Sequence, residues 1–136
     1  MAKVSFVGFQ EKVEIPEGFQ LCSVEESLTS DLNKDALFSL LSDQTKISLW
    51  LGDVISFDSR PGGKLLFENG AVATCTSFIL GKEVTFISDV FGNVTAKVLK
   101  GREKNSIEIA FAILTDDGEK KSREILEIIK RLQAQL

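Results

Sequence analysis

The chain has 136 residues, 43% of them apolar and 26% charged, with a formal net charge of −4 and a sequence pI near 4.9. A chain of this size and balance fits one globular domain that buries its own core without staples. The acidic balance excludes a general nucleic-acid binder, which needs a basic footprint to release phosphate counterions, and it disfavours docking on an anionic membrane surface.

Residues 1–18 form a distinct lead-in. Val4 to Phe9 reads as a short strand, and Val13-Glu14-Ile15 alternates apolar and charged before Pro16 and Gly18 break the run. This segment is expected to be an arm or an extra edge strand, with 19–136 as the single main domain. Gln20 to Leu28 admits two readings. One is a loosely alternating strand; the other is a helix opened by Ser23, with Glu26 three residues on as in a capping box.

Asp31-Leu32-Asn33 offers N-cap side chains, and Ala36, Leu37, Leu40 and Leu41 follow at helical spacing until Ser42-Asp43. Thr45 to Leu51 reads as a second short helix or turn carrying Ile47, Leu49, Trp50 and Leu51, with Gly52 as its stop. From Asp53 the pattern changes to strands, at about Val54–Phe57, Lys64–Glu68, Ala71–Leu80, Glu83–Ser88, Val94–Leu99 and Ser106–Leu114. Their separators are Pro61-Gly62-Gly63, Asn69-Gly70, Gly81-Lys82, Phe91-Gly92-Asn93 and Lys100-Gly101. Asn-Gly favours a type I′ hairpin turn, whose two central residues need positive φ. With no helix-length crossover between them, these strands must pair sequentially as an antiparallel meander. In the last strand Ile107, Ile109, Phe111 and Ile113 face one way, as a sheet with one buried face requires. Asp116-Asp117-Gly118 then leads into a helix over Glu119 to Ala134. Acidic residues at its start and Lys130-Arg131 near its end suit the macrodipole. Its stripe of Ile125, Ile128, Ile129, Leu132 and Leu136 needs a partner, and the concave face of the meander is the large surface available. The expected class is therefore α+β, a curved antiparallel sheet wrapped around a C-terminal helix.

Trp50-Leu51-Gly52, followed by Asp58-Ser59-Arg60-Pro61-Gly62-Gly63-Lys64-Leu65-Leu66-Phe67, resembles the SRPBCC (START-like, helix-grip) superfamily. Within it the stretch looks most like the AHSA type, the group named for the activator of the heat-shock-chaperone ATPase. The resemblance covers about Phe19 to Leu136. It implies the order β-α-α-β6-α, and with it a strand at Gln20–Leu28. Residues 1–18 have no counterpart in the family, and within 19–136 the chain departs from its pattern in two places. Phe38 stands where the first helix often carries tryptophan, and the final helix lacks a Gly-Trp pair.

The absence of His excludes Ser-His-Asp triads, Cys-His dyads and His-ligated metals together; the absence of Tyr removes phenolic acid catalysis. No phosphate-binding glycine motif is present, and no cofactor or metal is expected. Cys22 and Cys75 are expected to be buried reduced thiols, since a disulfide between them would need compatible geometry. The resemblance implies a ligand space between the sheet and the last helix, with Trp50, Phe67, Phe78 and Phe86 as lining candidates. Plain core packing is the competing reading, because apolar pockets and cores use the same residues. Glu26 alternates with Val24 and Leu28 and so is the one candidate for an inward acid or base, against a solvated strand residue. Arg60 is either an anion clamp or part of a surface turn.

Three functions stay open. The first is a non-catalytic binder of a small hydrophobic or amphipathic ligand. The second is an enzyme of the polyketide cyclase/dehydratase type acting through Glu26. The third is a co-chaperone-like interaction module, monomeric or a homodimer paired through residues 1–18. The shortage of catalytic side chains favours the binder over the enzyme. No apolar run approaches membrane-spanning length and the N-terminus lacks a secretory apolar core, so the expected location is the cytoplasm.

Overall fold

The structure is a computed structural model that describes the backbone of residues 3–7 and 15–136, with side chains from residue 15 onward. Gly8 to Glu14 lie outside the described residues, and most of the expected alternation at Val13–Ile15 falls there. The elements in chain order are β1 (Lys3–Val7), β2 (Gln20–Ser30), α1 (Lys34–Ser42), α2 (Gln44–Ile47), β3 (Val54–Phe57), β4 (Lys64–Phe67), β5 (Val72–Ile79), β6 (Glu83–Ser88), β7 (Gly92–Leu99), β8 (Asn105–Thr115) and α3 (Gly118–Gln133).

The strands make one antiparallel sheet of eight, ordered β1-β2-β8-β7-β6-β5-β4-β3. From β3 to β8 every neighbour in the sheet is also a neighbour in sequence. The exception is β2, which lies against β8 along its whole length, from Gln20↔Thr115 to Ser30↔Asn105. This pairing bears out the strand that the resemblance implies at Gln20–Leu28. As a strand the segment sets Cys22, Val24 and Leu28 opposite Ile113, Phe111 and Ile107, and all six are buried. An isolated capping box contributes about 1 kcal/mol. Burial of a Val or Leu side chain contributes about 1.5–3 kcal/mol each, so tertiary pairing decides the conformation. Beyond β2, Lys3–Val7 pair with Leu21–Glu25 as the edge strand on that side.

The inward face of β8 (Ile107, Ile109, Phe111, Ile113) is buried as its alternation implies. The helix α3 packs over β2 and β8 through Ile125, Ile129 and Leu132, while Ile128 and Leu136 sit half-buried at the flank of the stripe. The shorter α1 covers β6, β7 and β8 with Leu37, Phe38, Leu40 and Leu41. Helix α2 is one turn long and the chain continues through turns to Leu51. The entries of α1 and α3 carry side-chain caps: Asn33 Oδ1 accepts from Ala36 N–H at 2.8 Å, and Asp117 Oδ1 from Lys120 N–H at 3.1 Å.

The Asn69-Gly70 hairpin forms, but not with the expected type I′ turn. Among the described residues no non-glycine residue has positive φ, so Asn69 does not meet that turn's requirement. Gly70 N–H instead donates to Phe67 C=O at 3.0 Å, closing a four-residue turn with Gly70 alone at positive φ. This longer turn keeps Glu68 and Asn69 in ordinary backbone regions. At Arg60–Gly63 the Gly63 N–H donates to Arg60 C=O at 2.9 Å with Gly62 at φ +85°, a type II turn with Pro61 in its favoured place. A side chain at Gly63 would run into the Asp58 backbone carbonyl, which explains the second glycine.

Candidate functional site

Trp50 is fully buried. Its indole Nε1–H donates to the Leu40 carbonyl at 2.7 Å, in the last turn of α1, where carbonyls have no intrahelical donor. Its own carbonyl accepts from Arg131 Nε–H of α3 at 3.1 Å. Trp50 thus ties the end of α1 to the C-terminal half of α3.

Phe86 is buried and Phe78 half-buried, and both belong to one aromatic cluster. Phe78 meets Phe38 edge-on at 5.6 Å between centroids, and Phe57 meets Phe86 at 5.5 Å. Phe57 and Phe78, at 6.5 Å, join the two pairs. Glu26 is half-buried on β2, on the inward side with Val24 and Leu28.

Phe67 occupies a different setting. It stacks edge-to-face with Phe91 at 6.3 Å, and both rings border a partly open pocket of about 370 Å³. Leu51, Gly52, Ala71 and Val90 complete the apolar part of its wall, and Asp53 and Glu68 stand on it as well. Three connections build this site: the α2–β3 loop, the β4–β5 turn and the β6–β7 turn. Glu68 N–H donates to the Asp53 carbonyl at 2.8 Å, which fastens the first connection to the second. Lys121 of α3 reaches the third, donating from Nζ to the Val90 carbonyl at 3.1 Å. Gly52 allows the Phe67 ring to lie against the loop backbone, since a side chain there would press on the ring edge at 3.2 Å.

The five residues singled out from sequence therefore fall into separate surroundings: Trp50 between α1 and α3, Phe78 and Phe86 in the aromatic cluster, Phe67 at the pocket, and Glu26 on β2. Four strands (β8, β7, β6 and β5) lie between β2 and β4 in the sheet order. Sequence reasoning missed Gly52, Asp53, Glu68, Ala71, Val90 and Phe91. It used the Asn69-Gly70 and Phe91-Gly92 segments as separators only. A signal was available: alternate hairpin turns of a meander fall at the same end of the sheet, so those two turns had to be neighbours.

Both cysteines are free and buried. Burial pushes the Cys22 thiol up, against a smaller opposing effect of Lys121, and burial likewise raises Cys75. Neither suits thiolate chemistry. Arg60 pairs with Asp58 at 2.8 Å, both well exposed, within its surface turn. Among the described residues no group of three His, Cys, Asp or Glu is placed to hold a metal ion, and no helix is long and apolar enough to cross a membrane.

No family model matches this sequence, and no curated protein matches it. Solved structures do. The crystal structure of CalU16 from Micromonospora echinospora superposes with a TM-score of 0.65 at 12% identity, covering 98% of this chain and 81% of that one. The solution structure of BH1534 from Bacillus halodurans gives 0.70 at 11% identity over 83% and 95% of the two chains. That of the Aha1 dimer from Colwellia psychrerythraea gives 0.61 at 9% identity over 82% and 94%. At such identities the likeness is one of fold, and the fold is helix-grip: a curved antiparallel sheet around a C-terminal helix.

Proposed function

We propose that this chain is an AHSA-type helix-grip domain that binds a small apolar or amphipathic ligand in the pocket bordered by Phe67 and Phe91. The AHSA assignment is supported by the Trp50 and Arg60-Pro61-Gly62-Gly63 pattern and by the likeness to Aha1. The observation that carries the binding reading is the pocket itself. Its volume of about 370 Å³ lies within the range of small-molecule sites, and two aromatic rings supply contact area in a partly open space. The interface beneath α3, by contrast, is occupied by Ile125, Ile129 and Leu132, and Trp50 leaves no exposed surface there.

The test is dye binding and native mass spectrometry on the full chain and on Ala71→Trp, which places an indole in the pocket. A hydrophobic dye is expected to bind the parent protein, and Ala71→Trp is expected to weaken that binding about tenfold or more while unfolding at a similar temperature. Absence of both dye binding and bound mass in the parent overturns the reading. The same comparison separates it from a cyclase-type enzyme acting through Glu26 and from a chaperone-partner module, since neither depends on this pocket.

A further inference from the structure

We infer that the ligand of this pocket carries a positive charge, as an amine- or ammonium-bearing amphiphile does. The inference rests on the proposed binding role of the pocket and adds the chemical class of what binds there. The apolar wall accounts for an apolar body, and the charge follows from what stands beside it. Asp53 and Glu68 are the charged residues of the lining, and no Lys or Arg joins them. Both are exposed, and the Glu68 N–H to Asp53 carbonyl bond holds their backbones together.

Three carboxylates of this chain are paired with cations. Asp58 is paired with Arg60, Asp31 with Lys104, and Glu124 with Lys121. Among the described residues neither Asp53 nor Glu68 has such a partner. The cation that touches this region is Lys121, and it is committed elsewhere. Its ammonium is held by the Val90 carbonyl at 3.1 Å and by Glu124 at 3.1 Å, and the side chain is only 23% exposed. An anionic amphiphile entering the pocket would meet two negative charges with nothing to offset them. A cationic one would meet those two exposed carboxylates beside the apolar wall.

The experiment is a titration of the ¹⁵N-labelled full chain, followed by amide shifts at Gly52, Ala71 and Val90. The probes are decyltrimethylammonium, decanol and decanoate, each below its micellar concentration. Decyltrimethylammonium is expected to bind about tenfold more tightly than decanol, and decanoate more weakly than decanol. Because the protein is acidic overall, a diffuse attraction has to be separated from a local one. The double variant Asp53→Asn/Glu68→Gln is expected to lose the preference of decyltrimethylammonium over decanol. The double variant Glu25→Gln/Glu108→Gln removes two charges from the solvent face of β2 and β8 and is expected to keep the preference. Equal binding of decanoate and decyltrimethylammonium, or a preference that survives Asp53→Asn/Glu68→Gln, overturns the inference and leaves the binding role standing. Failure of all three probes to shift these amides overturns both.

Discussion

Trp50 shows how one side chain joins distant parts of this chain. Its ring is fully buried, its N–H satisfies a carbonyl at the end of α1, and its backbone carbonyl receives Arg131 of α3. Trp50→Phe keeps an aromatic ring but leaves the Leu40 carbonyl buried without its donor. It should cost about 1–3 kcal/mol of stability in urea unfolding, with the fold retained. Asp43 has a different role. It ends α1 by donating its N–H to Ser39 C=O, and it starts α2 by accepting from Thr45. The Thr45 hydroxyl at 2.6 Å, then its N–H at 2.9 Å, hold the Asp43 carboxyl below the usual carboxylate range. A depressed folded-state pKa means the contribution is present above the unfolded value and lost as pH falls through the folded one. Asp43→Asn should therefore flatten the acid limb of a stability-against-pH curve, and leave its slope above pH ~5 unchanged.

Among the elements, β3 is a short edge strand that would offer unpaired backbone groups to another chain. Two side chains from the α2 region occupy two of these groups. Ser48 Oγ accepts from Val54 N–H at 3.0 Å, and Gln44 Nε2–H donates to Ile55 C=O at 2.8 Å. A register shift between Val54 and Ser56 further interrupts the ladder, and the Ile55 side chain is 56% exposed beside it. The double variant Gln44→Ala/Ser48→Ala should self-associate at concentrations where the parent does not, detected by light scattering after size exclusion. An unchanged mass for the variant would show that the two caps are dispensable. The elements also show which turn chemistry was legible. Pro61-Gly62 formed the type II turn that its residues favour, whereas Asn69-Gly70 formed a longer turn. A dipeptide restricts φ locally, but the strands on either side decide how many residues the connection needs.

The whole molecule depends on a pairing between its two ends. β2 joins β8 across most of the sequence, and α3 covers both strands from the concave side. The fold was legible to a large extent because strong local patterns agreed. The Ile107–Ile113 alternation and the Ile125–Leu132 stripe are complementary apolar faces, and the even spacing of the turns left a meander as the available topology. The candidate site was hardly legible. Of the five residues named from sequence, Phe67 borders the pocket, and its partner Phe91 went unnoticed because it sits in a turn.

What the sequence determined by itself was the set of elements, their antiparallel order and the faces they bury, since periodicity and turn residues act over a few positions. Local periodicity left Gln20–Leu28 balanced between helix and strand; the family resemblance implied the strand, and the tertiary structure supplied its physical reason, the pairing with β8. What the tertiary structure alone decided was where the rings go, because Phe in a core and Phe beside a cavity have the same pattern in sequence. Trp50 became a buried link with its polar atom satisfied. Phe67 met Phe91, and Asp53 met Glu68, only because the sheet brought three separate connections to one end.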